Sequence, residues 1–171
     1  MTSPGPVVLI GPMGAGKTSI GKKLSRRLGV AFRDSDRIVV QRHGPIADLF
    51  AGHGEEHFRE LERDAVADAL ASDGVVSLGG GAVLDETTRA SLAPLPVVLL
   101  TVSPEAVEAR LAGSSRPLLQ RGGIDAWRAI AADRDPVYRE LASVVVDTSH
   151  RPVSAVVDDI VTWLDTERGT A

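Results

Sequence analysis

The chain reads as an α/β protein built on a parallel sheet, on three observations. Apolar runs of strand length recur along it, stretches of helix formers separate them, and the runs lack the polar alternation of a sheet with one wet face. The first run is Val7 to Ile10, followed by Val30 to Phe32, Val75 to Leu78, Val97 to Val102 and Val144 to Val146, which predicts five strands. Between them, Ser19 to Leu28 and Glu55 to Leu70 are rich in residues that favour helix. Val153, Val156, Val157, Ile160, Val161 and Leu164 recur at i, i+3, i+4, i+7, i+8 and i+11. That spacing predicts a last helix over 153–164 with one apolar face for the sheet, and residues 166–171 read as a frayed tail.

Length and composition agree. A chain of 171 residues, 43% hydrophobic and 25% charged, has the size and balance of one globular domain. No linker, repeat or low-complexity block divides it, so residues 1–171 are assigned to a single domain. The net charge of −4 argues against a general nucleic-acid binder. With no cysteine there is no disulfide framework, thiolate nucleophile or Cys-ligated zinc. Residues 1–6 carry no Lys or Arg, and no apolar run approaches the roughly 20 residues of a membrane span. The expectation is a cytoplasmic protein with no signal peptide and no membrane partner.

Gly11-Pro12-Met13-Gly14-Ala15-Gly16-Lys17-Thr18 matches G-x-x-x-x-G-K-[ST] between the first predicted strand and the first predicted helix. In that setting the amides of Gly14, Ala15, Gly16, Lys17, Thr18 and Ser19 surround the phosphates of a nucleotide at a helix N-terminus. Lys17 would neutralise β- and γ-phosphate charge, and the Thr18 hydroxyl would serve Mg²⁺. The motif identifies a phosphoryl donor and leaves the acceptor open.

Candidates for the acceptor side follow the second and third predicted strands. Asp34-Ser35-Asp36 stands at a strand's carboxyl end, where open α/β sheets bind ligands. Asp34 is assigned to the Mg²⁺ shell and Asp36 to the proton of an attacking hydroxyl, although a plain helix N-cap uses the same residue types. Gly79-Gly80-Gly81 predicts a place where a ligand or another backbone comes close, with amides for acceptor hydroxyls; a structural turn is the alternative. Glu62 lies at i+3 from Arg59, a spacing that serves a solvated helix face as well as a site. Convergence of Arg59 and Arg134 would make a bidentate clamp for a carboxylate. Residues 113–123, Gly-flanked and carrying Arg116 and Arg121, suit a lid or a surface connection. His53 and His57 stand at i, i+4, but Gly54 occupies the Glu position of the H-E-x-x-H zinc motif. Trp127 and Trp163 read as packing residues, and His43 and His150 as surface residues.

With these residues assembled, the chain resembles the shikimate kinase family from Gly11 to about Leu164. The segments that carry the resemblance are Gly11 to Thr18, Asp34-Ser35-Asp36, Ile46 to Phe50, Gly54-Glu55, Phe58-Arg59-Glu60-Leu61-Glu62, Leu78 to Val83, Arg116-Pro117-Leu118-Leu119 and Arg134 to Tyr138, in the family's order. The resemblance implies a P-loop kinase of the nucleoside monophosphate kinase-like fold, its five-stranded parallel sheet flanked by helices on both faces, with a shikimate-binding segment at about 34–62 and a mobile lid at about 112–123. It implies ATP as co-substrate, Mg²⁺ as the metal, and phosphorylation of the 3-hydroxyl of shikimate, giving shikimate 3-phosphate and ADP on the chorismate route to aromatic amino acids. Lys17, Asp36 and Arg116 would be catalytic, with Arg116 reaching the transferring phosphate from the lid. Asp36, Arg59, Gly80, Gly81 and Arg134 would contact shikimate, Glu62 would orient Arg59, and Phe50 and Phe58 would line the pocket. Arg110 would flank the adenine, and the protein would be a monomer.

Two features depart from the family pattern. Gly44-Pro45-Ile46 is one residue shorter than usual and lacks a Ser, and the stretch between Arg110 and Arg116 is short. A gluconate kinase or another small-molecule kinase shares the loop, fold and lid and is the rival enzyme reading. A nucleotide-dependent regulatory module is the rival outside catalysis.

Overall fold

Strands β1 (Val7–Ile10), β2 (Phe32–Asp34), β3 (Val75–Ser77), β4 (Val97–Thr101) and β5 (Val144–Asp147) pair in parallel in the order β2-β3-β1-β4-β5. The structure, a computed structural model, describes residues 5–112 and 122–169. Around the sheet run α1 (Lys17–Leu28), α2 (Ser35–His43), α3 (Ile46–Leu70), α4 (Glu86–Leu92), α5 (Pro104–Leu111), α6 (Gly123–Leu141) and α7 (Val153–Gly169), with a 3-10 turn at Ala82–Leu84.

Alternation along each strand decides which face a residue serves. Val7, Leu9, Val75, Val98 and Leu100 meet Ile20 and Leu24 of α1 and Val156, Val157, Ile160 and Leu164 of α7. Their neighbours Val8, Ile10, Val76, Val97 and Leu99 meet Val66 and Ala69 of α3, Leu92 of α4 and Tyr138 of α6. Both faces are covered, which is why the strand sequences show no polar alternation. Each fully buried Val or Leu contributes about 1.5–3 kcal/mol by leaving water, so truncating a central residue such as Leu9 to Ala would cost about 2–5 kcal/mol.

The elements depart from expectation where local hydrogen bonding overrides the apolar pattern. Val30 is 41% exposed and outside β2, which starts two residues later than the run 30–32. Gly29 closes α1 at φ 68°, and the Val30 amide donates back to Ser25 O at 2.9 Å, so this residue still belongs to the helix cap. Helix α3 begins at Ile46 rather than Glu55 and is interrupted at Gly54, where φ 81° and ψ 174° lie outside the helical region. Helix α7 continues to Gly169, with Thr166 Oγ1 donating to Thr162 O at 2.9 Å, so residues 166–169 are helical instead of frayed. The shortened Gly44-Pro45-Ile46 forms the joint between α2 and α3. The Gly44 amide ends α2 on Val40 O at 3.0 Å, and Pro45 O accepts from the Asp48 and Leu49 amides at 3.1 and 3.2 Å.

The chain leaves β1 onto the face of α1, whereas α3, α4 and α6 lie on the opposite face. The carboxyl ends of β1 and β3 therefore flank a crevice where connections diverge, the ligand-binding position of open α/β sheets. Among the described residues no helix is long and apolar enough to cross a membrane.

Candidate active site

The loop between β1 and α1 is held by its carbonyls. Lys17 Nζ donates to Gly11 O at 2.7 Å and to Pro12 O at 3.0 Å. Trp127 Nε1 donates to Met13 O, Arg110 Nη1 to Gly14 O and Thr148 Oγ1 to Ala15 O, each at 2.8 Å. The Ile20 amide takes Gly16 O at 2.9 Å. With six successive carbonyls engaged by protein donors, the loop has its amides to offer a phosphate, and Gly14 and Gly16, at φ 82° and 91°, supply the left-handed turns this requires.

Thr18 Oγ1 donates to Asp34 Oδ2 at 3.0 Å, and Asp34 Oδ1 accepts from the Arg37 amide at 3.2 Å as the N-cap of α2. The capping reading of Asp34 thus holds on one oxygen, while the other oxygen faces the Thr18 hydroxyl. A hydroxyl beside a carboxylate oxygen is the hard-oxygen donor set that suits Mg²⁺.

The triple glycine brings the acceptor-side residues together. A β-carbon at Gly79 would lie 2.5 Å from Asp36 Oδ1, one at Gly80 3.2 Å from Arg134 Nη1, and one at Gly81 2.6 Å from both terminal nitrogens of Arg59. Each glycine thus faces a different candidate side chain, from α2, α6 and α3 in turn, and close approach explains why all three positions lack a side chain. Gly80 also faces Gly11 O, at 3.6 Å from the same hypothetical β-carbon, so the acceptor loop adjoins the phosphate loop. The Gly79 amide donates to buried Ser35 Oγ at 3.0 Å, and the Tyr138 hydroxyl donates to Gly80 O at 2.6 Å.

Electrostatics distinguish Arg59 and Glu62 from a solvated helix pair. Glu62 is only 3% exposed and accepts from Arg59 Nη1 at 2.7 Å; Glu55 adds a second contact to Arg59 at 3.4 Å. Burial holds the Glu62 carboxyl above the ordinary carboxylate value; the Arg59 charge and hydrogen bond oppose this, Asp36 adds to it and Arg134 subtracts. Burial works against the Arg59 guanidinium, but Glu62 and Glu55 more than offset it and its pKa rises.

Phe58 is a core residue, clustered with Val39, Leu49 and Ala65, and its ring lies 5.3 Å from Arg59 Cζ. Phe50, 39% exposed and 4.8 Å from the Phe58 ring, is the one of the pair that presents an apolar face outward. Arg110 donates to Thr148 Oγ1 and to the carbonyls of Thr148 and Ser149, tying that turn to Gly14. His53 and His57 flank the Gly54 interruption with ring centroids 4.9 Å apart. Trp163 packs against the α1–α7 side of the core, and His43 and His150 are exposed. Arg116 and residues 113–121 of the expected lid lie outside the described residues.

Four residues at this site were not assigned to it by sequence reasoning: Ser35, Tyr138, Thr148 and Trp127, which packs as expected but also bonds the phosphate loop. For two of them a signal exists, because Trp127 and Tyr138 stand at i−7 and i+4 from Arg134, on one helical face.

Comparisons with known proteins agree with the geometry. The model of the shikimate kinase family matches residues 13–165. A shikimate kinase of Saccharopolyspora erythraea is 49% identical over 168 residues, covering 94% of this chain and 94% of that protein. One from Mycobacterium avium is 45% identical over 161 residues, 92% of each. Among solved structures, a shikimate kinase from Acinetobacter baumannii in complex with shikimate is similar at a TM-score of 0.89 and 31% identity, covering 95% of this chain and 94% of its own.

Proposed function

The chain belongs to the shikimate kinase family, and on that premise we propose how its own residues transfer the γ-phosphoryl group of ATP to the 3-hydroxyl of shikimate. The reaction yields shikimate 3-phosphate and ADP in the aromatic pathway. The observation that carries the residue assignment is the facing of Gly79, Gly80 and Gly81 by Asp36, Arg134 and Arg59 beside the phosphate loop.

In this reading Arg59 and Arg134 hold the carboxylate of shikimate, with Glu62 orienting Arg59. Asp36 and the backbone of Gly80 and Gly81 hold the hydroxyls, and Phe50 lines the pocket with Phe58 behind it. The 3-oxygen forms a bond to the γ-phosphorus as the bond to the β–γ bridging oxygen breaks, and ADP leaves with that electron pair. Asp36 accepts the hydroxyl proton. The amides of residues 14–19 cradle the phosphates, and Lys17 spreads the charge that develops on the transferring group. Thr18 and Asp34 would hold Mg²⁺, which neutralises phosphate charge when bound. Arg116 would reach the same phosphate from a lid at 112–123 that excludes water, and Arg110 would flank the adenine. We further infer a one-domain monomer in the cytoplasm with no nucleic-acid partner, the last supported by the net charge of −4.

The direct test is ADP release from Mg²⁺-ATP with shikimate, gluconate, AMP or no acceptor, with the product weighed by mass spectrometry. Shikimate-dependent release with a singly phosphorylated product is expected. Dependence on another acceptor would discard the Arg59 and Arg134 assignment.

A further inference from the structure

Two side chains of α6 reach the two loops between which phosphate must pass. Trp127 and Tyr138 are eleven residues apart, three turns along one helical face. The first donates to Met13 O in the phosphate loop at 2.8 Å, the second to Gly80 O in the acceptor loop at 2.6 Å. Both are buried, at 9% and 1% exposure. Between them the helix does not pack flush: a cavity of about 160 Å³ lies there, lined by Pro12, Leu99, Thr101, Ala131 and Asp135 as well as the two rings. Trp127 packs against Val107, Leu111 and Met13, and Tyr138 against the sheet-face core; the two directional bonds, one at each end of this half-open cavity, add to that packing the orientation of each loop's carbonyl.

Peptide planarity gives these bonds their chemical meaning. The carbonyl of Met13 and the amide of Gly14 belong to one rigid plane, as do the carbonyl of Gly80 and the amide of Gly81. A donor that fixes the carbonyl also fixes the direction of the amide on the opposite edge. Trp127 thus aims a phosphate-loop amide, and Tyr138 aims an amide of the acceptor loop. Arg134 adjoins both Gly80 and the Tyr138 hydroxyl, so the phenol also steadies one arm of the carboxylate clamp.

Resting on the phosphoryl-transfer reading above, we propose that Trp127 and Tyr138 are positioning residues that set the two sides of the site independently from one helix. Trp127 orients the phosphate loop for ATP through Met13, and Tyr138 orients Gly80, Gly81 and Arg134 for shikimate. Neither needs to touch a substrate to do so.

The test is steady-state kinetics of Trp127→Phe and Tyr138→Phe with ATP and shikimate varied separately, alongside wild type and with melting temperatures recorded. Losing one hydrogen bond of ordinary worth predicts a rise of about five- to tenfold in one KM. For Trp127→Phe the affected KM is that of ATP, for Tyr138→Phe that of shikimate, with the other KM within about twofold in each case. Should Trp127→Phe fail to fold, Trp163→Phe leaves Trp127 as the sole tryptophan of the original two. Its emission is then expected to shift on ADP binding and to stay unchanged with shikimate alone. Wild-type turnover with both KM values unchanged, or moving together, in both variants overturns the positioning roles and leaves the kinase reading intact. A Trp127 emission indifferent to ADP overturns the donor half.

Discussion

The Thr18 hydroxyl donates to Asp34 Oδ2 at 3.0 Å, while the other oxygen of that carboxylate caps α2 through the Arg37 amide at 3.2 Å. One side chain therefore joins the start of α1 to the start of α2. Capping and metal binding ask different things of it: a cap needs only an acceptor oxygen, whereas a Mg²⁺ shell favours a charged one.

Substitution separates the two. Asp34→Asn keeps a good cap and is expected to melt close to wild type while needing more Mg²⁺ for half-maximal activity. Asp34→Ala should need more Mg²⁺ and also lose about 1 kcal/mol of stability. Thermal melts with a Mg²⁺ titration of turnover check both, and an Ala variant as stable as the Asn variant would refute the capping contribution.

Asp36 faces Gly79 and is assigned the hydroxyl proton. Asp36→Asn keeps the size and loses the base, so kcat should fall by about 10²–10⁴-fold. Turnover near the wild-type rate with unchanged shikimate affinity would remove Asp36 from the mechanism.

Arg59 and Gly81 should fail in the same direction. Arg59→Ala removes a half-buried charge-assisted contact and is expected to weaken shikimate binding by about 2–5 kcal/mol. Gly81→Ala would place a β-carbon 2.6 Å from the Arg59 guanidinium nitrogens and push that side chain out of place. Both should raise KM for shikimate much more than KM for ATP, and a normal shikimate KM in Arg59→Ala would sink the clamp.

Glu62 gives the site an acid limb. Burial raises its folded-state pKa, so on acidification the folded protein takes up this proton before the unfolded chain does. The stabilising contribution of that uptake is fully present below the unfolded carboxylate pKa and is lost as pH rises through the raised folded value. Function runs the opposite way, because a protonated Glu62 no longer anchors Arg59 as an ion pair. KM for shikimate should therefore rise as pH falls through the raised Glu62 value, and Glu62→Gln should flatten that limb. An unaltered pH profile in Glu62→Gln would show that Glu62 does not control Arg59.

Much of this was legible from residues in order, and what was not has a physical cause in each case. The stretch from Val7 to Ile10 is buried throughout, so its composition alone marks it as an inner strand. Val30 looks equally apolar, yet the Gly29 turn commits it to a helix cap, a matter of backbone hydrogen bonding rather than hydrophobicity. The phosphate loop is contiguous, so its motif is readable from eight residues in a row. Arg59 and Arg134 are 75 residues apart in sequence and face neighbouring glycines only because α3 and α6 both flank the triple glycine. Spacing could pair Arg59 with Glu62 but could not give the burial that sets this ion pair apart from a solvated one. The sequence likewise shows Trp127 as a large apolar ring, while the destination of its N–H depends on a loop 114 residues away.

The carbonyls of the phosphate loop take donors from Arg110, Trp127 and Thr148, at separations of 96, 114 and 133 residues. During synthesis the motif leaves the ribosome long before those donors exist, so the nascent chain carries a complete P-loop sequence with only local donors such as Lys17 and Ile20 to hold its shape. Contacts this distant in sequence form late, because closing such long loops costs chain entropy. An N-terminal piece ending before β5 would contain every residue of the motif, together with Arg110 and Trp127, but would lack the Thr148 hydroxyl that holds Ala15 O. The set of donors that holds the loop's carbonyls is complete only once the residue that follows β5 is in place, which makes the shape of the phosphate loop a marker for the docking of the last strand.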